Sequence, residues 1–327
     1  MALPNLFIVG AAKSGTTSLH NYLHQHPDVF MCNPKEPHYL INQEIGINRI
    51  PVGITNFIEY TDLFSEGEDK KYRGESSVMY LMYPEIVIPK IKDQFGEDSK
   101  IIIMLRNPVE RAFAGYLHNL RYNPSENLSF EEAIENSEDR YYKDIDITPD
   151  TRYLHVGEYY LQVKAFMDEF KENIHVIFYD DYVSNIEFCL EGIFDFLEIE
   201  KIAIDTSMRH MEGGWMFKNK FLRNLLIPQN NFKSLIKSIL PNKKIREGLK
   251  QKMMNISTVE TPQLSIAMRN KLRTYYKKDV SKELAQEALL ACKSFFWGKH
   301  FNTDIYGFEF DVSGVSLTAI SSVLDQG

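Results

Sequence analysis

Four apolar residues, Leu6-Phe7-Ile8-Val9, run straight into Gly10-Ala11-Ala12-Lys13-Ser14-Gly15-Thr16-Thr17, and helical spacing follows at Leu19, Tyr22 and Leu23. A short continuous apolar run has the composition of a strand buried on both faces. A strand that turns through small residues into a helix gathers backbone N–H groups at one point. The helix dipole adds partial positive charge there, and Lys13 adds a full one. Such a cradle binds phosphate or sulfate, and it commits the chain to an α/β sheet with this strand inside. The spacing approaches a Walker A loop, but the Gly-Lys-Ser/Thr ending is replaced by Gly15-Thr16-Thr17. The lysine stands inside the loop instead.

The rest of the chain supplies the sheet. Further strands are predicted over residues 29–31, 72–77, 100–106 and 174–179, and helices over 84–95, from 107 onward, 153–170, 186–197 and most of 263–290. Strands alternating with helices indicate parallel pairing and right-handed crossovers. The expected architecture is α/β: a P-loop-like three-layer fold with a central parallel β-sheet flanked by helices. The 327 residues show no internal repeat and no low-complexity linker. One domain is therefore expected over 1–311, with an acidic insertion at 119–151, a basic cap-like segment at 212–262 and a C-terminal tail at 312–327.

Charge bounds the partners. A net charge of −8 argues against a nucleic-acid polymer but leaves room for a local basic site. Ten cations, from Lys218, Lys220 and Arg223 to Lys252, stand against Glu247 alone; the block is either a solvated surface or a cover for a polyanion. Residues 126–150 carry nine acids and read as a solvated surface or as an acceptor-side lid favouring cationic or neutral substrates. Cys32, Cys189 and Cys292 lie far apart, without metal-site spacing. His20 and His24 sit one helical turn apart with no third ligand, and read as surface histidines; no metal is expected. No secretory leader and no apolar run of spanning length is seen, so a cytoplasmic protein without membrane insertion is expected.

Two places carry candidate chemistry beyond the loop. The strand over 100–105 delivers Arg106 at its carboxyl end, the side where open α/β sheets bind ligands. The stretch Asn33-Pro34-Lys35-Glu36-Pro37-His38-Tyr39 is a loop by its prolines, and either an acid–base site or a solvated turn. A P-loop kinase would need a metal-holding acid, for which Asp180 or Asp181 could stand in. A donor bound without metal needs lysine and arginine instead. Two separate anchors, Lys13 and Arg106, suit a nucleotide phosphorylated at two places.

These pieces together resemble the sulfotransferases that depend on 3′-phosphoadenosine 5′-phosphosulfate (PAPS), in the bacterial and heparan-type flavour. The likeness runs from Leu6 to Phe310. It rests on Ala12 to Leu19, Lys35-Glu36-Pro37-His38-Tyr39, Gly74-Glu75-Ser76-Ser77, Leu105 to Arg111, Gly157-Glu158-Tyr159 and Phe178-Tyr179-Asp180-Asp181. The resemblance implies that Lys13, Ser14, Gly15, Thr16, Thr17 and Ser18 hold the 5′-phosphosulfate, with Lys13 stabilising the leaving oxygen. It implies that Arg106, helped by Arg111, binds the 3′-phosphate. Glu36 matches the general base of heparan-type members, with His38 as the competing choice.

Three departures stand out. The usual 3′-phosphate serine is Ala114 here, and the tryptophan that follows the threonines in many relatives is Ser18. Without that tryptophan, Trp215 or Phe217 is left to carry adenine; the family's C-terminal Lys/Arg-Gly loop is not recognisable, which leaves Lys218, Lys220 and Arg223 as its substitutes. The expected reaction moves a sulfuryl group from PAPS to a hydroxyl, less readily an amine, of a small-molecule or glycan acceptor, leaving adenosine 3′,5′-bisphosphate (PAP). A cationic metabolite such as a saxitoxin-type alkaloid is the acceptor that the acidic stretch suggests. The alternatives are an ATP-dependent kinase and a non-catalytic nucleotide-binding protein.

Overall fold

The first strand sits at the centre of the sheet. In the computed structural model, which describes residues 2–123, 125–207, 214–218, 223 and 257–277, β1 (Leu6–Gly10) lies between β3 (Tyr72–Ser76) and β4 (Lys100–Leu105). β2 (Val29–Met31) and β5 (Ile174–Phe178) complete a five-stranded sheet of order β2-β3-β1-β4-β5, parallel throughout. The chain winds outward from β1 on one side and then returns to start β4 on the other. That reversal opens a crevice beyond the carboxyl ends of β1 and β4.

Alternation along each strand makes the three layers. Phe7, Val9, Ile101 and Ile103 face a layer built on α4 (Pro84–Phe95) and α8 (Tyr159–Phe170), where they meet Val87, Ile91, Val163 and Phe166. Leu6, Ile8, Ile102 and Met104 face α1 (Thr16–Leu23) and α10 (Ile186–Leu197), meeting Leu19, Leu23, Leu190 and Ile193. Each of these strand side chains is fully buried, contributing about 1.5–3 kcal/mol. A register shift between Ile8 and Gly10 in the β1–β4 pairing re-aims the chain just before the loop.

α5 (Pro108–Tyr122) is capped by Asn107, whose Oδ1 accepts from Val109 N–H at 3.0 Å, and Pro108 occupies its first turn. Against it pack α6 (Phe130–Glu135) and the final described helix, α11 (Ile266–Tyr276), through Phe130, Ile134, Met268 and Leu272. α2 (Tyr39–Ile45), α3 (Phe57–Asp62), α7 (Ser137–Lys143) and α9 (Tyr179–Ser184) are short. β6 (Trp215–Phe217) and β7 (Thr258–Glu260) form a separate antiparallel ribbon. Among the described residues, no helix is long and apolar enough to cross a membrane.

Several expectations are corrected. The helix expected from Tyr153 begins only at Tyr159, because a Cβ at Gly157 would stand 2.7 Å from the Tyr276 hydroxyl. That close approach holds residues 155–157 as a 3-10 turn, with Tyr276 Oη donating to the Leu154 carbonyl at 3.0 Å. The start expected for the acidic insertion falls inside α5, whose last residues are 119–122. The acids beyond it are not simply solvated: Glu126 is fully buried, with its carboxylate taking Arg140 at 3.0 Å and Tyr153 Oη at 2.7 Å. His20 is buried rather than on the surface, with Nδ1 2.9 Å from Ser76 Oγ, while exposed His24 accepts from Met31 N–H at 3.1 Å. Residues 278–311, the tail at 312–327, Lys220 and nearly all of the basic block lie outside the described residues.

Candidate active site

The loop after β1 does what its composition dictates. Gly15 takes φ 90°, a conformation open to glycine at little cost, and stands at the N-cap of α1 with no side chain capping the helix. The first bonds of α1 run from Ser18 N–H and Leu19 N–H to Gly15 O, at 3.0 and 3.2 Å. The N–H groups of Gly15, Thr16 and Thr17 therefore precede the helix ladder. Ser14 is fully buried, and its Oγ and the buried Tyr159 hydroxyl face one another in a corner that includes Arg106 and Arg111. An uncapped helix start beside buried hydroxyls and two arginines fits an anion.

Lys13 and Arg106 meet at this loop. Arg106 Nη1 donates to the Lys13 carbonyl at 3.2 Å, and its guanidinium lies 4.7 Å from the centroid of the Tyr179 ring. Tyr179 also packs against Gly15, where a Cβ would be 3.3 Å from the ring. Lys13 Nζ stands 3.2 Å from His118 Nδ1 on α5. Burial, then the charge of Arg121, then that of Arg106 push the Lys13 ammonium down to about 8, against an opposing pull from Glu36. Burial and the Lys13 charge lower His118 to about 3, so its imidazole is neutral and Nδ1 accepts.

The loop after β2 brings Glu36 to the same cleft. Lys35 pairs with Glu36 Oε1, and His38 Nε2 lies 3.7 Å from Oε2. Burial alone would raise the Glu36 carboxyl, but His38 and Lys35 outweigh it and hold the group well below the usual carboxylate range. Glu36 is ionised at neutral pH. Lys13, Glu36 and His38 share one further property: each is a non-glycine residue at positive φ, at 68°, 65° and 51°. Such conformations cost about 1–3 kcal/mol each and persist only where the surroundings enforce them.

Glu75, at the end of β3, supplies that enforcement for the Glu36 loop. It is fully buried and accepts from Tyr60 Oη at 2.5 Å, Tyr80 Oη at 3.0 Å and Ser77 Oγ at 2.6 Å. Ser77 Oγ accepts from His38 N–H at 3.1 Å, and Tyr80 Oη from Leu40 N–H at 3.1 Å. Ser77→Ala leaves the buried His38 N–H unpaired, a loss of about 1–3 kcal/mol in urea unfolding. Turnover should fall with it while affinity for PAP holds, since the hydrogen bonds of Ser77 run to Glu75 and His38 and none to the anion cradle. Equal loss of both in calorimetry and initial-rate assays would contradict that division.

Arg111 is buried in the corner shared with Arg106 and Tyr159, donating through Nη2 to the Tyr153 carbonyl. Trp215 meets Tyr122 and Arg121 at the far end of α5, with ring centroids 6.1 Å apart and the Arg121 guanidinium at 5.3 Å. α5 has 15 residues, or about 22 Å, and Arg106 lies at its other end. Trp215, in edge-on contact with buried Phe217 at 5.4 Å, stands at the opposite end of α5 from Arg106. Lys218 is exposed, and Arg223 is buried against the carbonyls of Leu120, Asn123 and Glu126. Asp150, which sequence reasoning passed over, has a buried Oδ1 without a partner and is pushed up by burial; it feels the charges of Glu36 and Lys13. His118, Arg121 and Glu75 were missed as well.

The model of the sulfotransferase domain family matches residues 3–282. The chain belongs to that family. Carbohydrate sulfotransferase 15 of Mus musculus is 26% identical over 251 residues, covering 62% of this chain and 45% of the relative. Human heparan sulfate glucosamine 3-O-sulfotransferase 3B1 is 29% identical over 133 residues, covering 39% and 31%. The chain thus spans about half or less of the length of these curated relatives. A crystal structure of a sulfotransferase from Alicyclobacillus acidocaldarius matches with a TM-score of 0.65 at 28% identity, over 88% of this chain and 96% of that one. Within this sulfotransferase frame the loop, Lys13, Arg106 and Glu36 converge on one cleft.

Proposed function

We propose that the protein transfers a sulfuryl group from PAPS to a hydroxyl of a small-molecule or glycan acceptor. The observation that carries this reading is a partly buried ammonium, Lys13, at an uncapped helix start, within electrostatic reach of an ionised Glu36. PAPS supplies an activated sulfuryl group on a phosphate leaving group. Residues Ser14 to Thr17 and Lys13 hold its 5′ end, and Arg106 its 3′-phosphate. Lys13 presents positive charge where the leaving oxygen gains negative charge. Glu36 takes the proton of the attacking hydroxyl.

Two relatives named for carbohydrate and heparan sulfate transfer support a glycan acceptor. The cationic, saxitoxin-type acceptor loses its basis, because much of the acidic stretch is already paired. Glu126 binds Arg140, Glu138 binds Arg152 at 2.7 Å, Asp139 binds Lys143 at 2.7 Å and Glu135 binds Lys271 at 2.7 Å. The kinase alternative loses ground too: Asp180 and Asp181 lie exposed in the first turn of α9, beyond the edge strand β5. A cytoplasmic site of action belongs to the proposal and draws support from the buried free thiols of Cys32 and Cys189.

Calorimetry with PAP tests the donor assignment. Binding should be unaffected by EDTA and should weaken about 10- to 100-fold in Arg106→Ala, the loss of one charge-assisted contact. Absence of binding to the wild type would sink the proposal.

A further inference from the structure

Tyr159 is a tyrosine in a seat that suits a phenylalanine. It opens α8 within the same apolar cluster as Ala11, Ala12, Leu105 and Val156, and only 2% of the residue is exposed. A hydroxyl in such a seat is unfavourable unless polar groups meet it. Two do. The Tyr159 hydroxyl faces Ser14 Oγ, in the anion loop, and the backbone N–H of Arg106, at the end of β4. Ser14 belongs to the proposed 5′ cradle and Arg106 is the proposed 3′ anchor.

The seat itself is fixed from outside the site. A Cβ at Gly157, two residues before Tyr159, would stand 2.7 Å from the Tyr276 hydroxyl and 3.2 Å from Pro108 Cβ. Pro108 starts α5 two residues after Arg106, so the turn that delivers Tyr159 is packed on the helix that Arg106 precedes. On the loop side, the contact between β1 and β4 runs on to Ala11 N–H, which donates to the Met104 carbonyl at 2.7 Å. Ser14 N–H then returns to the Ala11 carbonyl at 3.3 Å, and Arg106 Nη1 crosses to the Lys13 carbonyl at 3.2 Å. The Tyr159 hydroxyl stands against both segments at this point. An aromatic ring held in a close-packed interior keeps its hydroxyl at one place.

Resting on the PAPS reading above, we propose that Tyr159 is a positioning residue for the donor, holding the Ser14 turn at a set distance from Arg106 to match the 5′ and 3′ groups of one nucleotide. It acts through Ser14 and Arg106 rather than on the donor. Preorganisation of a separation favours a ligand that carries both groups and is indifferent to a ligand that carries one. Discrimination for the 3′-phosphate is then set in part from the start of α8.

The test is calorimetry, direct or by competition, with PAP and with adenosine 5′-monophosphate. The wild type should bind PAP about ten times or more tighter than the monophosphate, as expected for one charge-assisted contact. Tyr159→Phe keeps the ring, and its melting temperature controls for folding. In that variant PAP affinity should fall about tenfold while monophosphate affinity stays within about twofold, so that the ratio collapses. On an Arg106→Ala background the same substitution should leave PAP affinity nearly unchanged, because the second anchor is gone. If Tyr159→Phe does not fold, Ser14→Ala, which removes the hydroxyl's partner from the loop side, should lower the ratio in its place. No discrimination by the wild type overturns the assignment. So does an unchanged ratio in the variant, and an equal fall for both ligands would reduce Tyr159 to a structural residue. A full loss of PAP affinity persisting without Arg106 overturns it as well. Failure of the wild type to bind PAP at all would instead remove the underlying donor reading.

Discussion

Lys13→Ala is expected to lower kcat by about 10²–10³-fold, the usual consequence of removing a charge aimed at a developing oxyanion. The ammonium is already desolvated and crowded by Arg121 and Arg106, so its interaction with new negative charge is stronger than in water. The same crowding makes the effect depend on pH. With Lys13 at about 8 in the free protein, kcat/KM should decline above that pH as the ammonium loses its proton. Lys13→Arg should move the alkaline limb upward, because a guanidinium stays charged throughout. His118, held near 3, stays neutral across the range and adds no limb of its own. Rates measured from pH 6 to 10 decide it. An alkaline limb unchanged in Lys13→Arg would assign that ionisation elsewhere.

Glu36→Gln should cost about 10²–10⁴-fold in kcat while PAP binding holds, since the amide keeps the shape and loses the proton acceptor. The competing base, His38, separates by comparison. Its Nε2 reaches Glu36 Oε2 at 3.7 Å, and its Nδ1 is buried without a partner, so it sits behind Glu36. His38→Ala should therefore cost less than Glu36→Gln. The opposite order would exchange their roles. His38 and the Lys35 ion pair together keep Glu36 charged in the free protein.

Much of this molecule could be read from patterns of short range. The limits of β2, α4 and α10 were predicted to the residue, because apolar periodicity, Pro84 and Gly96 act within a few positions. Lys13 and Arg106 were legible because each follows a buried strand directly. The surroundings at the far end of α5 were not. Arg121 is one cation among many in the sequence, and only the packing of β6 on the end of α5 sets it beside Trp215. Glu75 was quoted as part of a recurring segment without a role, since its partners Tyr60, Ser77, Tyr80 and, through Ser77, His38 meet only when β3 pairs into the sheet. The setting of Trp215 was hidden for the same reason: aromatic character is visible in a sequence, while the end of α5 it rests on is not.

The positive φ angles of Lys13, Glu36 and His38 bear on how this protein's descendants would change if the reaction were no longer selected. At these positions glycine and asparagine relieve backbone strain, so drift there would favour the fold while ending the chemistry. A copy kept only as a nucleotide sensor would then retain its sheet, its helix start and Arg106, yet carry glycine or asparagine at one or more of these three places. Loss of catalysis in this lineage should be readable as a change of backbone preference before it is readable as a loss of fold.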